Sequence, residues 1–142
     1  MCAYIAYYCY KGKCTLNLGD NQYYTREVID VILARIKSCI QNNRYTISLN
    51  ENRWENIDFI NEYNISGDKQ KSILLQIKTD DFCHSLQNTE MGYEHEVLYA
   101  FVSQVQLFNA EGEAETVDVY MKFNVIHVPF GSWVVVVAVY KG

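Results

Sequence analysis

Nine consecutive residues, Val117 to Val125, alternate without a break between apolar and polar: Val-Asp-Val-Tyr-Met-Lys-Phe-Asn-Val. Successive side chains of a strand point to opposite faces. Val117, Val119, Met121, Phe123 and Val125 therefore share one face, and Asp118, Tyr120, Lys122 and Asn124 the other. One packed face and one polar face is the pattern of an antiparallel sheet that is wet on one side. A phenol and an ammonium two residues apart on that wet face suit a phosphate, and they equally suit plain surface.

The rest of the chain supplies what the packed face needs. Cys2–Tyr10 and Cys14–Leu18 read as two strands joined by Lys11-Gly12-Lys13, rich in aromatic and β-branched residues. Val28, Ile29, Ile32, Leu33, Ile36 and Ile40 recur at three and four, which predicts an amphipathic helix over 26–41 capped by Thr25. After Asn42-Asn43 come a short strand over 45–49 and a second helix over 54–63. Ser66 suits the N-cap of a third helix ending near Ile77. Thr79 suits the cap of one more helical turn, 80–85, in which Asp80 and Asp81 meet the positive helix end rather than acting as paired catalytic carboxylates. A polar loop over 86–93 follows, then three strands over 95–108, 115–128 and 133–140. Helices followed by a strand meander give an α+β fold with helices packed on one face of an antiparallel sheet.

The 142 residues, with one proline and no low-complexity run, read as a single domain of soluble type: residues 1–24 an N-terminal hairpin extension, 25–142 the core. The longest apolar run, 133–140, is too short to span a bilayer. The Tyr-studded start lacks the basic region of a signal peptide, so a cytoplasmic protein with no membrane partner is expected. On that reading the five cysteines (Cys2, Cys9, Cys14, Cys39, Cys83) are reduced thiols behaving as small apolar groups, with a Cys9–Cys14 disulfide the oxidising alternative. Cys83 and His84 adjoin, but no CxxC or HxxxH completes a ligand set, so no metal and no cofactor are expected. Charge is uneven. Residues 1–71 hold nine Lys/Arg against eight Asp/Glu, and residues 72–142 hold three against nine. An acidic half is a poor electrostatic funnel for nucleic acid, although Glu111, Glu113 and Glu115 gather on one turn.

The element order, with "ILLQIKTDDFCH", "EHEVLYAF", "VDVYMKFNVI" and "VVVVAVYK" in sequence, resembles the MqsR family of bacterial toxins. These are RelE-like mRNA interferases of type II toxin–antitoxin systems. The likeness runs from about Val28 to Lys141 and leaves residues 1–24 outside it. It implies a RelE-like fold, metal-independent cleavage of single-stranded mRNA, and a cognate protein antitoxin as partner. It places the catalytic Tyr on Tyr120 and a Lys two residues on at Lys122. The basic residue after Asp-Phe falls on His84, and a polar residue before the "VLY" strand falls on Glu96. The C-terminal basic residue falls on Lys141, or on Tyr140 if the last strand is shifted by one. Where the family usually places Lys and Gln, this chain has His84 and Glu96.

Metal-free RNA cleavage needs a base for the 2′-hydroxyl, an acid for the leaving 5′-oxygen and a cation for the phosphate. Glu96 or His84 would be the base and Lys122 or Lys141 the cation. Tyr120 would donate to the phosphate or stack on a base, with Tyr140, Asn124 and His95 binding substrate. Beside this stands a second reading, a non-catalytic member of the fold whose acidic surface and N-terminal hairpin bind a protein as an inhibitor or decoy.

Overall fold

The computed structural model describes residues 24–50, 53–87, 91–92, 96–129 and 131–142. The hairpin expected over 2–18 lies outside them, as does His95. Three helices and a five-stranded sheet make up the described residues: α1 (Arg26–Gln41), β1 (Tyr45–Ile47), α2 (Trp54–Glu62), α3 (Gly67–Leu74), β2 (Phe82–Gln87), β3 (Val97–Phe108), β4 (Ala114–Val128) and β5 (Gly131–Lys141). This is the expected α+β class. The sheet is nevertheless mixed. Its order is β1-β5-β4-β3-β2, and β1 joins the edge parallel to β5 while the other pairs are antiparallel. A parallel neighbour needs a crossover, which the long return from β1 through the helices provides.

Helix α1 starts where Thr25 Oγ1 accepts from the Val28 amide at 3.2 Å, the cap its sequence called for. Its buried stripe of Ile29, Leu33, Ile36 and Ile40 packs with Phe59, Tyr63, Ile73 and Leu74 onto Phe101, Val117, Val119, Met121 and Phe123. The alternating residues of β4 thus bury on the helix side as their period requires.

Two stretches depart from the sequence reading. Only Thr79–Asp81 forms a helical turn, of 3-10 type, with Asp81 Oδ2 accepting from the Lys78 amide at 2.8 Å. Asp80 is taken by Arg26, so both acids have structural partners. The segment 82–87, expected as helix and the start of a loop, is strand β2, because Phe82 finds a core place beside Phe101 that a local reading cannot see. Helix α3 also stops at Leu74, three residues early, and Ser66 sits at its N-cap without a side-chain bond.

A side chain with no strong sequence signal closes the open edge of β5. Asn56, buried on α2, donates to the carbonyls of Ser48 (2.9 Å) and Val137 (3.1 Å) and accepts from the Val139 amide (2.9 Å). Beyond Val136, where β1 ends, its amide stands in for a neighbouring strand.

Candidate functional site on the far sheet face

Two β-bulges decide which side chains share the face opposite the helices. In β2, Phe82 pairs with Phe101 but His84 with Ala100, which makes Cys83 the extra residue. In β5, Ala138 pairs with Lys122 but Val136 with Phe123, which makes Val137 the extra residue. Each bulge inverts the alternation of its strand. Without the first, His84 would turn toward the helices. Without the second, Tyr140 would do so and Lys141 would take the far face.

The outcome is a straight cross-strand row, His84–Ala100–Lys122–Ala138, with Val102–Tyr120–Tyr140 beside it. Ala100 and Ala138 flank Lys122 with methyl groups only, His84 lies beyond Ala100, and the Tyr120–Tyr140 pair stands one same-face step along the strands. The two tyrosine rings lie 5.3 Å apart, tilted by 40°. One register step further along β4, Asn124 Nδ2 donates to Glu96 Oε1 at 2.9 Å. The fold therefore gathers Tyr120, Lys122, His84, Tyr140, Asn124 and Glu96.

Lys141 is not among them. It pairs with Val119 on the helix side, where its ammonium binds Glu62 at 3.1 Å and lies 5.4 Å from the centre of the Tyr63 ring. These partners raise its pKa well above the usual lysine value, the Tyr63 hydroxyl first and Glu62 second. The bulge thus puts Tyr140, and not Lys141, on the far face.

Around this row the far face is also not wet, although Asp118 and Gln104 further along it are exposed. Tyr120 and His84 are each 1% exposed, Asn124 is buried and Lys122 half-buried. Alternation along β4 reports only that strand's own residues. Its neighbours put Ala100, Val102 and Ala138 on the same face, and these build a second apolar cluster with Cys83 and Tyr120 to which no described helix contributes. Burial, and then the nearby Lys122 charge, push the His84 pKa down to about 4, so the imidazole is neutral at pH 7.

Cys83 is disulfide-bonded, which corrects the expectation of reduced thiols for this residue, while Cys39 is a buried free thiol. A disulfide sulfur carries no proton, so the His84 Nδ1 contact at 3.2 Å from Cys83 Sγ has the imidazole donating. That tautomer puts the lone pair on Nε2.

The acidic turn is far from this row. Glu115 lies seven residues from Lys122 along β4, about 23 Å at the usual strand rise. That exceeds the screening length of roughly 8 Å at physiological salt, so the turn does little to the field at Lys122. Glu115 is itself occupied by Tyr63 and Asn109. Among the described residues no group of three His, Cys, Asp or Glu is placed to hold a metal ion, and no helix is long and apolar enough to cross a membrane.

No signal in a single strand announces the bulges or the alanines on either side of Lys122, because each is a property of pairing between strands. Comparison with protein-family models, curated proteins and solved structures finds no match for this chain.

Proposed function

We propose that the chain is an endoribonuclease of the toxin type, acting on single-stranded mRNA and restrained by a cognate protein antitoxin. One observation carries the reading. Both bulges border the same row and turn His84 and Tyr140 onto the face that holds Lys122 and Tyr120. Bulges re-aim side chains, and two that converge on one row of phosphate-compatible groups support a site rather than chance.

In the chemistry that follows, neutral His84 takes the 2′-hydroxyl proton on Nε2, and the 2′-oxygen attacks phosphorus. The 5′-oxygen leaves with a proton from the Tyr120 phenol, giving a 2′,3′-cyclic phosphate and a 5′-hydroxyl. Lys122 holds the phosphate oxygens as charge builds. His84 and Tyr120 are buried and Lys122 is half-buried, so the reading requires RNA to gain access to side chains that are shielded here. The Cys83 disulfide weighs against a reducing compartment.

That same burial, with the acidic balance of residues 72–142, favours the second reading, a non-catalytic protein-binding module of this fold. Long mRNA incubated in EDTA, with and without dithiothreitol, separates the two. Cleavage by the wild type and none by a Tyr120→Phe, Lys122→Ala variant supports the nuclease. Equal cleavage, or none under either condition, rejects it.

A further inference from the structure

Around the end of the sheet from the row lies a groove of about 480 Å³, lined by Val31, Ile32 and Arg35 of α1 and, on the sheet, Glu96, Val97, Tyr99, Val125, Ile126 and His127. That volume lies within the roughly 300–1,000 Å³ typical of small-ligand sites. Val31 is 63% exposed at its lip, an apolar side chain left to water beside a concavity. Val31, Ile32, Val97, Val125 and Ile126 give the groove an aliphatic lining against which a flat ring can pack.

The polar groups are divided between two sources of charge. Arg35 and Tyr99 both line the groove, and burial raises the Tyr99 pKa, so the groove carries a guanidinium and a protonated phenol. His127 is exposed, and its Nδ1 lies 3.4 Å from Ser132 Oγ, which leaves Nε2 for a ligand. These three can donate to an anion. Glu96, fixed by Asn124, contributes a carboxylate. A phosphate is repelled from that group and drawn to Arg35, so a ligand with an anionic end and a donor-bearing ring has one preferred orientation. Among bases, guanine offers a carboxylate two adjacent donors on its Watson–Crick edge, whereas uracil flanks one donor with two carbonyls.

The geometry points to this groove as a binding site for a guanosine phosphate, free or within RNA, with the base against the aliphatic lining facing Glu96 and the phosphate on Arg35, Tyr99 and His127. Asn124 belongs both to the far-face strand and to the Glu96 pair, so within the nuclease reading the groove holds a nucleotide flanking the cleaved phosphate. The inference extends that reading and is tested apart from it.

Calorimetric titration of the full chain with 5′-GMP, 5′-UMP and a short guanosine-ended RNA provides the test, with amide chemical shifts mapping the contact. Saturable binding of GMP, of the RNA or of both is expected, with shifts at Arg35, Tyr99 and His127, and the ligand that binds identifies the source. Arg35 is exposed, so Arg35→Glu should fold normally and weaken binding by about tenfold or more, with His127→Ala weakening it less. UMP should bind more weakly than GMP. The Tyr120→Phe, Lys122→Ala variant should bind GMP as the wild type does, so a failed cleavage assay leaves this result standing. No saturable binding of any of the three ligands overturns the site, and so does binding that Arg35→Glu leaves unchanged.

Discussion

Replacing Asn56 with Ala tests whether the β5 bulge is held by a single side chain. The amide is 1% exposed and makes three bonds at 2.9–3.1 Å to backbone groups of the β1 end and β5. Alanine leaves the buried Val139 N–H with no acceptor and takes a donor from the carbonyls of Ser48 and Val137. A buried unsatisfied group costs about 1–3 kcal/mol, so losing the amide N–H partner and at least one carbonyl partner should cost about 3–5 kcal/mol. With a urea m-value of about 1.5 kcal/mol/M for a domain of this size, the midpoint should fall by about 2–3 M at unchanged m.

Asn56→Asp sharpens the test. One carboxylate oxygen can still accept from Val139, but the other meets two carbonyls where a donor stood. The folded state therefore favours the protonated acid and raises its pKa above the unfolded value of about 3.9. Stability from the protonated form is present below that value and lost as pH rises through the folded pKa, so Asn56→Asp should be worse than Asn56→Ala at pH 7 and recover on acidification. Amide exchange at Val139 should quicken in both variants. A midpoint shift worth under about 1 kcal/mol for Asn56→Ala, or an Asn56→Asp variant indifferent to pH, would refute the reasoning.

Other outcomes follow from the same geometry. Because burial and Lys122 depress the His84 pKa from 6.5 to about 4, the unfolded chain binds the extra proton first on acidification. Stability should fall by up to about 3 kcal/mol between pH 6.5 and 4 and level off below, and denaturant titrations of His84→Gln should lack that component. Lys141→Met loses a half-exposed ion pair and a cation–π contact, so urea melts should shift by less than about 1 kcal/mol, and cleavage should be unaffected because Lys141 is on the helix side. Peptide mapping after alkylation of unfolded, unreduced protein should find Cys39 modified and Cys83 protected, and reduction should destabilise the fold by about 2–4 kcal/mol.

The contrast between β4 and β2 shows where a sequence stops being readable. Val117 to Val125 carries its face assignment in its own period, and the structure buries Val117, Val119, Met121 and Phe123 on the helix side with Val125 half-buried against them. Helix α1 likewise carries its stripe and its cap, Thr25, in one contiguous stretch. Segment 82–87 lacks such a period. Its strand state comes from Phe82 meeting Phe101 and from pairing with β3, and the preceding Thr-Asp-Asp made a helix look locally better.

The site divides along the same line. Tyr120, Lys122 and Asn124 share a face by chain geometry alone, and β4 by itself makes them neighbours. Whether His84, Tyr140 or Lys141 joins them depends on where Cys83 and Val137 are squeezed out of register, and that is fixed by the lengths and partners of neighbouring strands. The apolar character of that face is likewise a cross-strand property, since Ala100, Val102 and Ala138 come from β3 and β5. Periodicity is local and survives in a single string of residues. Register, bulges and the second face of a sheet exist only once the strands have paired.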